Sequence, residues 1–458
     1  MIFQQYYLDC LSHASYLVAD ETTGRAVIVD PQRDIAQYVA DAEEQGLTIE
    51  LVLETHFHAD FLSGHLELAE ATGAEIGFSS IAEPEYAIRP LADGERISLG
   101  EVVLEIRHTP GHTPESMSIV VWERESDDTP YGVLTGDTLF IGDVGRPDLL
   151  ASVGFTRDEL ATKLYDSLHG KLLTLPDGTQ VFPAHGAGSA CGKNLSTELS
   201  STIGAQRQEN YALLAPDRET FIDLVTEGQV PAPGYFLHDA TMNKKQRALM
   251  EETTAPRAMN WDEVQDALSD GAILVDGRDP VEFARGHLRG AVNIGLDGRY
   301  AEFAGSVVPV DADLVLFVDP GAELEAKNRL GRIGFDRVLG HVATPFAVLQ
   351  DHADRAQVAS RLTPVGFEER RQDADLQVVD VRNPGEYALG AIPGARNIPV
   401  GQLPDRMAEI DPDRPTVVYC AGGYRSSVAA SLLRTNSFDD VSDLVGGYGA
   451  WAEVVQPA

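Results

Sequence analysis

The segment Thr55-His56-Phe57-His58-Ala59-Asp60-Phe61 follows directly on Leu51 to Glu54 (LVLE), an apolar run that reads as a strand. Three further positions share that setting: His112 in HTPGHTPES, Asp137 in LTGDTLF and His185 in FPAHG. Each stands where an apolar run gives way to a loop rich in Gly, Pro and Thr. Four strand ends of this kind can aim imidazoles and carboxylates at one point, which demands an α/β fold whose strands finish along a common edge. A lone histidine is as readily a packed core residue. The set together points to a metal.

The surrounding pattern agrees with such a fold. Ala26 to Asp30, Val102 to Ile106 and Ser118 to Val121 read as further strands, and Ile35 to Gln45 as a helix closed by Gly46. From Met242 to Pro256 the chain turns polar and charged, which is expected to be a linking helix. The expected division is therefore a domain over 1–240 and a linker over 241–257. Beyond it lies an internal repeat: LVDGRDPVEFARGHLRGAVNIG from Leu274 returns as VVDVRNPGEYALGAIPGARNIP from Val378. Two copies of one α/β unit, over 258–355 and 365–458, account for it.

Composition narrows the function. With 35 Lys and Arg against 72 Asp and Glu the net charge is −37, which repels nucleic-acid phosphates and anionic membranes. No apolar run approaches the roughly 18–20 residues that span a bilayer. Three cysteines in 458 residues cannot form a disulfide framework and suit a reducing compartment. The first twenty residues carry no basic segment followed by an apolar stretch and cleavage site, so a cytoplasmic protein is expected.

The HxHxD…H…D…H order resembles the metallo-β-lactamase superfamily over roughly residues 1–240, implying an αββα sandwich. Its binuclear hydrolytic members carry a histidine where this chain has Phe61, and an apolar ring cannot ligate; one metal is therefore expected. Within the superfamily THFHAD, PGHTPES, TGD and GDVGRPD resemble the persulfide dioxygenase branch. That resemblance implies a metal set of His56, His112 and Asp137. Two histidines and a carboxylate with open positions suit non-haem Fe(II), one per iron domain, whereas zinc has no redox chemistry. His58, Asp60 and His185 are then expected to orient the ligands. Arg146 is expected either to steer an anionic persulfide or to form a structural ion pair. Cys191, six residues after His185, reads as a packing residue with a sulfur-holding role as the alternative; Cys10 reads as a packed small hydrophobe. The implied reaction turns a small thiol persulfide, O₂ and water into thiol and sulfite.

In the second repeat Thr416 to Tyr419 is a β-run ending at Cys420, followed by Ala421, Gly422, Gly423, Tyr424 and Arg425 and then a helical stretch. Backbone N–H groups at a helix start favour a thiolate or persulfide on Cys420, and Arg425 adds charge. This loop, with DVRNPGEY, GAIPGARNIP and LVGGYGAWAE, resembles the rhodanese active loop, although Ala391 stands where the family often has His. The first repeat has Asp319 in place of the nucleophile and is expected to be silent. Joined, the modules imply sulfite formation at iron and transfer through Cys420 between sulfite and thiosulfate, in either direction. The competing readings are a glyoxalase II-like metal-dependent thioesterase carrying rhodanese passengers, and a non-enzymatic sulfur-carrier scaffold. A homo-oligomer is compatible with the resemblance.

Overall fold

Alternation of side chains along the amino-terminal strands assigns each face a different partner. In a computed structural model, described for residues 1–149, 154–229 and 232–455, the strands His13–Asp20 and Arg25–Val29 turn Tyr16, Val18, Val27 and Val29 to one side and Leu17, Ala19, Ala26 and Ile28 to the other. The first set packs with Leu104, Ile106, Ile119 and Leu134 of an opposing sheet; the second packs with Tyr38 and Ala42 of the helix Ala36–Glu44. Each sheet has six strands. The first runs in chain order from Ile2–Leu8 to Arg89–Leu91. The second runs in reverse chain order from Ser201–Thr202 to Arg96–Ser98, and its outer face is covered by helices Arg157–Ser167 and Arg218–Thr226 through Leu164, Phe221 and Val225. The layers are helix, sheet, sheet, helix. The expected strand ends are present: Thr48–Leu53, Val103–His108, Gly132–Gly136 and Gln180–Pro183 lead respectively to His56, His112, Asp137 and His185.

The chain divides into two units, Met1–Glu251 and Glu252–Ala458. The second contains both repeats, each a five-stranded parallel sheet with the same strand order. Their shared sequence motif is a shared bonding motif. Arg278 pairs with Asp276 at 2.6 Å and donates to the Gly286 carbonyl; Arg382 pairs with Asp380 at 2.6 Å and donates to the Gly390 carbonyl. Asn293 bridges the carbonyls of Asp276 and Arg278, as Asn397 bridges those of Asp380 and Arg382. Among the described residues no helix is long and apolar enough to cross a membrane.

One segment departs from expectation. After helix Phe236–Met242 the chain from Asn243 is not a linking helix; it packs back on the first unit. Asn243 and Arg247 are buried, Arg247 pairs with both oxygens of Glu67 and with the Ser63 carbonyl, and Arg33 pairs with Glu67 from the other side at 3.1 Å. The reason is charge: a buried Glu67 requires cations, and one comes from this polar stretch. Burial alone would raise the Glu67 pKa, but bonding to Arg247 and the charges of Arg247 and Arg33 outweigh it and hold the carboxyl below its ordinary value. Glu67 thus adds stability that is fully present above its unfolded pKa of about 4.3 and is lost as pH falls through the lower folded value. Arg247→Ala is expected to cost the first unit about 3 kcal/mol at neutral pH, with the gap to the unsubstituted protein narrowing as urea melts are taken below that pH. Parallel acid profiles would contradict this role.

Candidate metal centre and sulfur-transfer loop

Two loops are knitted together before any ion is considered. The Thr55 carbonyl accepts from Met117 N at 2.8 Å, and Glu115, the acid of PGHTPES, accepts from Phe57 N at 3.1 Å. Asp30 at the end of the neighbouring strand accepts from both the amide and the hydroxyl of Thr55. From behind, the Asn243 carboxamide donates to the carbonyls of His58 and Phe61, both at 2.8 Å, and accepts from Ser63 N. Gly145 of GDVGRPD passes so close that a Cβ there would lie 1.9 Å from the Asp137 carbonyl oxygen.

His56, His112 and Asp137 come together, fully buried, with one potential ligand atom from each within 4.8 Å of the others. Asp137 Oδ2 lies 3.4 Å from His112 Nε2 and 3.8 Å from His56 Nε2. His56 Nε2 and Asp137 Oδ2 lack hydrogen-bond partners, a costly condition in a buried site unless a cation answers it. The opposite ring nitrogens are occupied: His56 Nδ1 meets the Thr55 hydroxyl at 3.0 Å and His112 Nδ1 meets the Arg146 carbonyl at 2.9 Å. Burial, reinforced for His56 by the neighbouring imidazoles, pushes both histidines toward the neutral form that binds metal. The donors therefore fit a cation.

The remaining residues of the motif gather beside this set. His185 is clamped between two carboxylates, Nδ1 to Asp137 at 2.7 Å and Nε2 to Asp60 at 2.8 Å. Burial opposes its charge, but Asp137 and Asp60 overcome it and raise its pKa well above the ordinary value. The same contact holds Asp60 at about 2 against the upward push of burial. His58, Asp60 and His185 also lie within 4.8 Å of one another, and both nitrogens of His58, Nε2 of His185 and Oδ1 of Asp60 lack hydrogen-bond partners. His58 faces Asp30 at 3.2 Å and Glu54 at 3.7 Å, and the position a further ligand would fill holds the buried ring of Phe61, 4.4 Å from His58. His13, which no local pattern singled out, packs on Phe61 at 4.0 Å.

Arg146 and the remaining cysteines have defined surroundings. Arg146 does not present a free cation: buried, it makes a two-pronged pair with Asp148 at 2.7 and 2.8 Å and donates to the Ala190 carbonyl. This pair is the structural contact that the sequence allowed for. Cys191 is buried beside Asp137 and His185, and burial together with Asp60 and Asp137 drives its thiol pKa up. Cys10 is half-buried.

In the second unit Cys420 follows the central strand Thr416–Tyr419 and is buried under helix Tyr424–Thr435. Its sulfur accepts from Gly423 N at 3.0 Å and lies 3.6 Å from the Ser426 hydroxyl. LVGGYGAWAE closes the loop: Tyr448 N donates to the Cys420 carbonyl and Gly449 N to the Ala421 carbonyl. Arg425 reaches the Cys420 sulfur but is also held by Glu386 of DVRNPGEY at 2.6 and 2.8 Å, so its charge is shared. Gly422 is exposed, while the Tyr424 side chain points away from the sulfur into the first repeat. Asp319, which replaces the cysteine there, is exposed.

Asn243 carries a testable consequence. Asn243→Ala removes both clamps on the loop holding His56, and is expected to weaken metal binding by about 10- to 100-fold in a chelator competition. Unchanged affinity would mean that the loop holds itself.

Family models agree with this division: the metallo-beta-lactamase superfamily model matches residues 8–185 and the rhodanese-like domain model matches 260–338 and 363–454. Among curated relatives, persulfide dioxygenase ETHE1, mitochondrial, of Bos taurus is 33% identical over 175 residues, 37% of this chain and 63% of the relative. Hydroxyacylglutathione hydrolase of Rhodospirillum rubrum is 36% identical over 173 residues, 37% of this chain and 60% of the relative. The chain thus spans less than two thirds of either. A crystal structure of a metallo-beta-lactamase from Staphylococcus aureus is 33% identical, covers 74% of this chain and 98% of its own, and superposes with a TM-score of 0.66. The chain belongs to the metallo-β-lactamase superfamily through its first unit, and carries two rhodanese-like domains in its second.

Proposed function

We propose that the first unit oxidises a low-molecular-weight thiol persulfide with O₂ at a single non-haem Fe(II), and that Cys420 transfers sulfane sulfur to the sulfite produced or, in reverse, from thiosulfate. The observation that carries this reading is the set His56, His112 and Asp137, with unpartnered donor atoms on His56 and Asp137, beside Phe61, whose buried ring fills the place of a further ligand. Two imidazoles and one carboxylate are the donor set of non-haem iron oxygenases, and iron bound there supplies open coordination positions and redox chemistry. The match to persulfide dioxygenases supports the same substrate class.

The chain's own residues have definite parts. Thr55 and the Arg146 carbonyl fix the two rings so that Nε2 faces inward. His185 holds Asp137 Oδ1, leaving Oδ2 as the ligand atom and placing positive charge beside a pocket meant for an anion. Burial of all three donors excludes bulk water. The balanced reaction is RSSH + O₂ + H₂O → RSH + SO₃²⁻ + 2H⁺. A second persulfide gives its outer sulfur to the Cys420 thiolate with release of RSH, and attack of sulfite on that sulfur forms thiosulfate and restores the thiolate. The Gly423 N–H is placed to stabilise the sulfur anion before and after transfer.

The match to a hydroxyacylglutathione hydrolase favours a second reading, hydrolysis of a thioester at a metal pair. Phe61, an apolar ring where a further ligand would stand, weighs against it. Metal analysis with oxygen uptake on glutathione persulfide separates the two. One iron per chain with uptake is expected; two zinc ions with thioester cleavage and no uptake would replace the oxygenase reading. Cys420→Ser should leave oxygen uptake and sulfite intact and abolish thiosulfate. Thiosulfate surviving that change would break the coupling.

A further inference from the structure

The loop after Cys420 is made of small residues, Ala421, Gly422 and Gly423, with Gly423 at a φ of +110°. Such a segment has many accessible conformations, and only some of them aim the Gly423 N–H at the sulfur. The residue that ends this freedom is Tyr424, first in helix Tyr424–Thr435. Its hydroxyl donates to the Gly295 carbonyl of the first repeat at 2.6 Å, and its ring lies against Gly298 and 5.4 Å from Phe303. The fit has no slack: a Cβ on Gly298 would lie 2.3 Å from the Tyr424 ring.

The first repeat braces this socket. Arg329 donates to the carbonyls of Leu296 and Gly298. It lies on Glu323–Gly331, the helix that in the first repeat stands where Tyr424–Thr435 stands in the second. A second tie runs further along the catalytic helix: Ser427 donates to Asn293 Oδ1 at 2.7 Å, and Asn293 N donates to Ser431 Oγ at 2.8 Å.

We propose that the repeat lacking a nucleophile is a positioning part of the sulfur-transfer site: its Gly295–Gly298 socket grips Tyr424 and holds the Cys420 loop with the Gly423 N–H on the sulfur. The biological meaning rests on Cys420 carrying sulfur as proposed above; the socket itself is tested on the thiol. In the full chain, the iodoacetamide alkylation rate of Cys420 is followed across pH by peptide mass spectrometry, beside sulfur transfer from thiosulfate to cyanide.

Gly298→Ala, remote from the sulfur, and Tyr424→Ala are each expected to slow Cys420 alkylation at neutral pH by about tenfold, with the pH midpoint moving upward as the thiolate loses its donor. Tyr424→Phe, which keeps the ring, should retain most of the rate. The double variant Gly298→Ala/Tyr424→Ala should be no slower than Tyr424→Ala alone, because one contact cannot be lost twice. Additive losses, or a Gly298→Ala profile identical to the unsubstituted protein, overturn the proposal. Should Gly298→Ala not fold, equal profiles for Tyr424→Phe and Tyr424→Ala overturn it as well. Variants that alter alkylation in a protein with no sulfur transfer at all would sustain the socket and refute the transfer reading.

Discussion

The clamp of His185 between Asp60 and Asp137 governs the metal centre. The His185 Nδ1 fixes one oxygen of Asp137 and leaves the other facing the imidazoles of His56 and His112, while Nε2 lies 2.8 Å from Asp60. The same carboxylates and histidine, unclamped and joined by one more donor, would suit two ions. Phe61 fills the adjacent space with an apolar ring, 4.4 Å from His58. Opposite charge in close contact, buried where solvent does not screen it, holds the histidine between the two carboxylates.

Positioning at both sites comes from far along the chain. Asn243 reaches the metal loop from a sequence separation of 185 and 182 residues, and Tyr424 reaches Gly295 across 129. In both cases the loop that carries chemistry cannot satisfy its own backbone or settle its own conformation, and a polar side chain from a separate element completes it. The free energy of fixing such loops is thus met by tertiary contacts rather than by local propensity.

This also decides what the sequence could reveal. The strand ends leading to His56, His112, Asp137 and His185 were legible because strand periodicity and loop composition are local signals, as was the helix closed by Gly46, which forms as Ala36–Glu44. The repeat was legible because Asp276, Arg278 and Asn293 recur at the same spacing as Asp380, Arg382 and Asn397. The strap at Asn243 and Arg247 was not: its residues are polar, without period, and buried only because Glu67 and two carbonyls require them. Arg146 was open for a similar reason, since a cation in a loop reads alike whether it faces a ligand or a carboxylate such as Asp148 two residues on. His13 gave no signal because its neighbours Phe61 and His185 are joined to it only by the sandwich.

The two repeats separate what makes the fold from what makes the site. Both keep the Asp–Arg pair and the asparagine bridge that lock the second parallel strand to its turn, and both keep the sheet order. They differ at the residue after the central strand, where one has a buried thiol under a helix start and the other an exposed carboxylate. Loss of the nucleophile therefore left the first repeat's framework whole, and with it a rigid surface of glycine and braced carbonyls. A surface of that kind suits an aromatic side chain, because a ring loses little rotamer freedom on docking and a phenol hydroxyl finds the carbonyl that close packing would otherwise strand. Tyr424 meets both conditions.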